Sequence, residues 1–365
     1  MKNQFKIIIV VISIIIVGSG IYSILQTDVN LQKTSKIDHK ELGIKSATGF
    51  ELYQNDEEII LVDGADRRVS FSSELKNNSV TTPVNRIIVF SSTHAAFIDR
   101  LGVSEKIVGV AWGGTYDWYI DSIKERLKDG SIKDVGLSSN PNYDEIIALE
   151  PDLVLLSGGT GLWEEHGKKF DDLGISYIVI SEWMEEDPLG QFEWIKAFSI
   201  ITGKEKEAFE IFDQVNLKTA EIYSLVADSQ KPKVLWAGIY KGTAYIPKEN
   251  SYVGKTIRLA NADYVLGDIS NNSQISVEEL LVRGKNADIL VYSSDLINNV
   301  NDITSVNPLL AELGPIKNCN VFSYQPWHWQ SIDKYDDYAN DVAAIMHPDV
   351  FPDYQLKQFK KISCV

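Results

Sequence analysis

From Arg86 onwards the chain alternates between short, unbroken apolar runs and amphipathic segments, and it does so in two blocks. The first block holds "RIIVFS" (86–91), "KIVGVA" (106–111), "DLVLLS" (152–157) and "SYIVIS" (176–181). The second holds "KVLWAG" (233–238), "DILVYSS" (288–294) and "NVFSY" (320–324), before a last helix over about 332–346. Strands that are apolar on both faces, separated by helices, form parallel sheets covered on both sides. The expected fold class is therefore α/β, with two doubly wound lobes of mainly parallel strands. The stretch "PNYDEIIALEPDLVLLSGG" (141–159) echoes "ISVEELLVRGKNADILVYSS" (275–294). Each has an acidic pair, a short helix, an Asp leading into an apolar strand, and small polar residues after it. Between the blocks, 204–230 carries Ala208, Phe212, Val215, Ile222 and Val226 on one helical stripe, with Thr219 the polar exception and no Gly or Pro inside. About 24 helical residues span roughly 36 Å, enough to run along both lobes.

The resulting domain plan has seven parts: a membrane anchor or signal (1–27), a tether (28–48) and a β-hairpin lead-in (49–83) come first. An N-terminal lobe (84–203), an interlobe helix (204–230), a C-terminal lobe (231–350) and a C-terminal tail (351–365) complete it. The anchor is read from Lys2 and Lys6 preceding "IIIVVISIIIV" (7–17), an apolar run that continues to Leu25. Its length is near that of a bilayer span, and the lysines before it fit export of the chain beyond Leu25. It serves either as an uncleaved anchor or as a cleaved signal. No Cys comes directly after it, which excludes lipid attachment at a cysteine there.

The formal charge of −16, with no basic stripe, argues against a nucleic-acid partner. Cys319 and Cys364 are the only cysteines, too few for a cysteine zinc site or an iron–sulfur cluster. They are either one bridge or two separate thiols. The five histidines form no H-x-H or H-E-x-x-H pattern. No nucleophile elbow or catalytic triad signature stands out, so no enzymatic activity and no resident cofactor are expected.

Several pieces together resemble the extracytoplasmic substrate-binding proteins of ABC importers for iron–siderophore, haem and cobalamin. They are "DGADRRV", "PVNRIIVFSSTHAAFIDRLGVSEKIVGVAW", "DVG", the first module, "FDDLGISYIVI", the long linking helix and the second module, covering about 62–346. The resemblance implies two lobes joined by a rigid helix, a ligand held in the cleft between them, and a metal chelate as cargo. It also implies partners, an ABC permease with its cytoplasmic ATPase, and an extracytoplasmic location. One acidic residue on each lobe would dock onto permease arginines. Motif matching puts these at Asp144 and Glu278, with Glu145 and Glu279 as the alternatives one position on. The rival readings are a sensory or adhesive domain tethered to the membrane on the same fold, or a nitrogenase-like or hydrolytic enzyme.

Open α/β sheets bind ligands at the carboxyl ends of their strands, so aromatics there are candidate cleft walls. On this ground the ligand-binding candidates are Trp112, Tyr116, Trp163, Trp183, Trp236, Tyr240, Tyr245 and Trp327. Flat aromatic faces suit a large, partly apolar chelate. His94 and His328 are candidates to touch the chelate or complete its metal's coordination, against a plain hydrogen-bonding role. Lys241 is the one cation expected at the cleft, which tilts the cargo toward a neutral or weakly anionic chelate. Trp118 and Trp194 are expected on helices, in the core.

Overall fold

The computed structural model describes residues 40–55, 58–74, 76, 79–269 and 273–364. The apolar segment 1–27 lies outside the described residues. Among those described, no helix is long and apolar enough to cross a membrane.

The first lobe is built on a parallel sheet in the spatial order Tyr177–Ile180, Leu153–Ser157, Ile87–Val89, Ile107–Val110, Lys133–Asp134. Both of its faces are dry. Ile87 and Val89 point into the main core, while Ile88 and Phe90 point into a second cluster with Val154, Leu156 and Val179. That two-sided burial is why the strands read as unbroken apolar runs rather than alternating ones.

The second lobe carries a seven-stranded sheet. Lys233–Tyr240 lies parallel to Ile289–Tyr292, which lies parallel to Val321–Tyr324, and Asp263–Tyr264 pairs parallel to the other edge of the first of these. Antiparallel additions close both sides: Thr243–Tyr245 and Gln274–Ser276 on one, Phe359–Lys361 on the other. The C-terminal tail is thus part of the lobe. Cys319 and Cys364 form a disulfide that staples its end.

The linking helix spans Glu205–Val226, about 33 Å. Its buried stripe is Ala208, Phe212, Val215, Thr219, Ile222 and Val226. Thr219 escapes the cost of burial because its hydroxyl donates to the Val215 carbonyl one turn back, at 2.9 Å. The helix packs against Tyr335–Met346 of the second lobe and Ile195–Thr202 of the first.

The lead-in is larger than a hairpin. It is a five-stranded sheet in sequence order, from Lys40–Glu41 to Ser79–Thr81, antiparallel except for the last pair. Its turn "DGADRR" docks on the outer strand of the first lobe. The Asp63 carboxylate accepts the Val179 N–H at 3.0 Å, Gly64 donates to the Val179 carbonyl, and Arg67 lies over the Tyr177 ring at 3.6 Å. An exposed sheet edge is thereby covered. The expected tether is folded where it is described. Residues 45–49 run as a strap whose backbone N–H groups point at two buried carboxylates, Glu193 and Glu185.

Candidate functional site

At the carboxyl edge of the first lobe the strand ends Phe90–Ser92, Ala111–Trp112 and Leu156–Ser157 surround a cavity of about 390 Å³. Trp112, Tyr116, Trp118 and Trp163 supply its aromatic wall, and Ser91, Ser92, Ser138, Ser157 and Thr160 supply hydroxyls. No Lys, Arg, Asp or Glu lines it.

Trp112 sits in the left-handed region, φ 65°, where a side chain costs about 1–3 kcal/mol. Neighbours hold it there. Its N–H donates to the Gly136 carbonyl at 2.8 Å, and its own carbonyl accepts the Tyr116 N–H at 3.1 Å. The next two N–H groups, of Gly113 and Gly114, donate to the Asp134 carboxylate at 3.0 and 2.8 Å. A Cβ on Gly113 would stand 2.8 Å from that of Asp134, so the close approach needs glycine. The result is an indole left 37% exposed beside the cavity.

Trp118 departs from expectation. It is buried, at 4% exposure, but it sits on an extended segment before the helix Asp121–Asp129 and lines the cavity. Its indole N–H has no hydrogen-bond partner, a deficit a ligand acceptor could fill. Trp194 is fully buried between two helices, its N–H on Glu185 at 2.9 Å. His166, which the sequence did not single out, also lines the cavity. The Ser138 carbonyl accepts its Nε2–H at 2.9 Å, and its Nδ1 accepts the Tyr143 hydroxyl at 2.7 Å, so both nitrogens are used.

Trp163 opens the helix Leu162–Leu173 after the "SGGTG" turn. Gly159 in that turn has φ 77°, and a Cβ there would come within 2.6 Å of the Trp183 ring. Trp183 in turn donates its indole N–H to the Gly158 carbonyl at 3.3 Å. It lines a second cavity, of about 200 Å³, together with His328. That cavity lies between the lobes and shares no lining residue with the first.

Two candidates are in the interior instead. Trp236 is fully buried because its strand does not end there; it runs on to Tyr240, flanked on both sides, and the indole N–H donates to the Tyr324 hydroxyl at 3.2 Å. His94 is fully buried on the inward face of the helix Ser92–Arg100, its ring 5.9 Å from that of Phe198. Burial pushes its imidazole down to about 3, so the Glu182 carboxyl 3.8 Å away faces a neutral ring rather than an ion-pair partner. Tyr240, Lys241 and Tyr245 lie exposed on one hairpin and line neither cavity. Trp327 is exposed and lines neither cavity either; it lies edge-on to Tyr119 at 6.1 Å, with its N–H on the Lys357 carbonyl.

Asp144 and Glu278 hold equivalent places. Each is the second residue of a helix, Tyr143–Ala148 or Val277–Gly284, whose cap (Asn142 or Ser276) accepts the N–H of the following Glu. Both are exposed and have no partner among the described residues, whereas Glu279 is paired with Arg283 at 3.2 Å. Among the described residues no cluster of three or more His, Cys, Asp or Glu could hold a metal ion.

The sequence profile described as "Periplasmic binding protein" matches residues 87–326, more than half of the chain. An uncharacterized lipoprotein of Methanocaldococcus jannaschii is 32% identical over 280 residues, covering 74% of this chain and 67% of that protein. The petrobactin-binding protein of Bacillus subtilis is 21% identical, covering 73% and 83%. Among solved structures, a periplasmic heme binding protein from Pseudomonas aeruginosa superposes with a TM-score of 0.57 at 16% identity, covering 73% of this chain and 93% of that one. The two-lobed α/β fold, the profile match and the first of these relatives agree: the chain belongs to the periplasmic binding protein family, as a binding protein of the extracytoplasmic side and not an enzyme.

Proposed function

We propose that the protein captures an uncharged or weakly charged metal chelate at the carboxyl edges of its sheets and delivers it to an ABC permease. The observation that carries this is the unpartnered indole N–H of Trp118 inside an aromatic and hydroxyl-lined cavity free of charged side chains. Indole faces suit a conjugated or apolar chelate periphery, and the hydroxyls and the orphan donor suit neutral oxygen acceptors. Relatives named for binding petrobactin and Fe(3+)-citrate support an iron chelate as cargo. Trp112, Tyr116 and Trp163 are the stacking residues of this reading. Tyr240, Lys241, Tyr245 and Trp327 would meet the part of the cargo that projects toward the second lobe. Asp144 and Glu278 would dock on the permease. The apolar segment 7–25 would hold the body at the membrane; the protein should then stay in the pellet when membranes are washed with carbonate.

The test is tryptophan fluorescence of the full-length chain titrated with haem, a corrinoid and neutral and anionic ferric siderophores. A neutral chelate should quench it saturably, and Trp118→Phe, which keeps an aromatic ring but removes the donor, should weaken that binding about 5- to 10-fold. No saturable quenching by any of these chelates sinks the reading.

A further inference from the structure

The cavity between the lobes calls for a different occupant. It measures about 200 Å³, little more than the roughly 150 Å³ that admits benzene in an apolar core. It is about half the size of the first lobe's cavity and is of the size of one substituted ring. Thr93, Trp183, Pro188 and Gln191 form its wall from the first lobe's side, and Tyr252, His328 and Tyr338 are among those facing them from the second.

Two polar atoms are left over there. By distance and angle the Tyr338 hydroxyl and Nδ1 of His328 make no hydrogen bond, in residues 7% and 8% exposed, although the Thr256 hydroxyl lies near the phenol and the Gln358 backbone near the imidazole. Each unmade hydrogen bond costs about 1–3 kcal/mol. The two rings are 6.0 Å apart centre to centre. No charged side chain lines the space. Burial holds the imidazole neutral, pushed down to about 3, and keeps the phenol protonated. An ionic occupant would have no counter-charge there, which burial penalises heavily.

We propose that this cavity is a second binding site, for a small uncharged hydroxyaromatic molecule of the phenol class. Its ring would lie against Trp183 and Trp329, and its hydroxyl would pair with Tyr338 and His328. Because both lobes contribute walls, the occupant adds contacts across the interface between them. This site goes beyond chelate capture and stands or falls independently of it.

The experiment is fluorine NMR of p-fluorophenol with the full-length chain, with toluene and benzoate as competitors. Saturable binding is expected, displaced by phenol, weakly by toluene and not by benzoate. Tyr338→Phe should lower p-fluorophenol affinity about 5- to 10-fold while leaving toluene unchanged. Ile332→Phe, which fills the cavity without removing a hydrogen-bonding group, should abolish binding of both. The proposal is overturned if p-fluorophenol does not bind, if Ile332→Phe leaves its binding intact, or if Trp163→Ala removes it, which would move the probe to the first lobe's cavity.

Discussion

Asp333 lies between a short 3-10 turn (328–330) and the helix Tyr335–Met346, only 5% exposed. Burial is the dominant influence on its carboxyl, and Lys334 and Arg100 oppose it only in part, so it is pushed up from 3.8 to about 6. Linkage sets the sign. Below about pH 3 the folded and unfolded chains both hold the proton, and the site is neutral to stability. As pH rises towards 6 the unfolded chain ionises freely while the folded one resists, and above that the penalty is constant. Asp333→Asn should therefore stabilise the protein at pH 7 by on the order of 1–3 kcal/mol and leave it nearly unchanged at about pH 3. Urea midpoints at the two pH values check this; equal shifts at both would contradict it. The same scale shows what a sequence can say about single side chains. Aromatics just past an apolar strand are legible as wall candidates, and Trp112, Tyr116 and Trp163 do line one cavity. His94 and Trp236 are not legible as interior residues. Spacing does not give the rotation of a helix against its sheet, nor how far a strand continues beyond its apolar run.

Among the elements, the strap over 45–49 is invisible in the sequence for a physical reason. It is held through backbone N–H groups, which leave no pattern of side chains. Lys45, Ser46 and Ala47 donate to the Glu193 carboxylate at 3.0, 2.6 and 2.9 Å, and Lys196 reaches it at 2.6 Å. Thr48 and Gly49 donate to Glu185 at 2.9 and 2.8 Å. Burial alone would raise the Glu193 pKa, but Lys196 and the three N–H groups outweigh it and leave it below the ordinary value. A depressed carboxylate contributes stability that is present above its unfolded pKa, near 4.5, and lost as pH falls through the folded one. Glu193→Gln should cost about 1–3 kcal/mol at pH 7 by leaving donors unmet, and should expose 40–49 to limited proteolysis. In the native chain the same cleavage should appear only on acidification below the ordinary carboxylate range; a strap equally resistant in the variant would refute the clamp. The C-terminal strand likewise reads as a mere tail. Phe359–Lys361 is too short to show alternation, and the bond from Cys319 to Cys364 is fixed by proximity in space rather than in sequence. The long helix and the parallel strands, by contrast, announce themselves by period and by unbroken apolarity.

At the scale of the whole molecule, the lobes are two sheets but share one interior. A single apolar cluster runs from Phe50 through Phe212 to Phe359. The Gln330 side chain bridges the lobes at the cleft, accepting the Tyr119 N–H at 2.8 Å and donating to the Asp117 carbonyl at 2.7 Å. Lys218 of the linking helix pairs with Asp336 at 2.5 Å. Such an interface favours small hinge movements over wide opening, since packed interiors do not deform continuously. In the proposed docking, a permease would need fixed landmarks on such a body, and the repeated module would supply one per lobe. Asp144 and Glu278 occupy the same turn of equivalent helices, exposed and unpaired among the described residues, where a carboxylate already gains about 0.3–1 kcal/mol from the helix end. Helix stability alone would be served by any acid in that turn, so the docking role needs a charge test. Asp144→Arg combined with Glu278→Arg should abolish chelate uptake in cells while chelate affinity in solution stays within about two-fold, and Glu279→Arg, at a position already engaged with Arg283, should change uptake little. Uptake that survives the double reversal would show that these helix ends are acidic for their own sake.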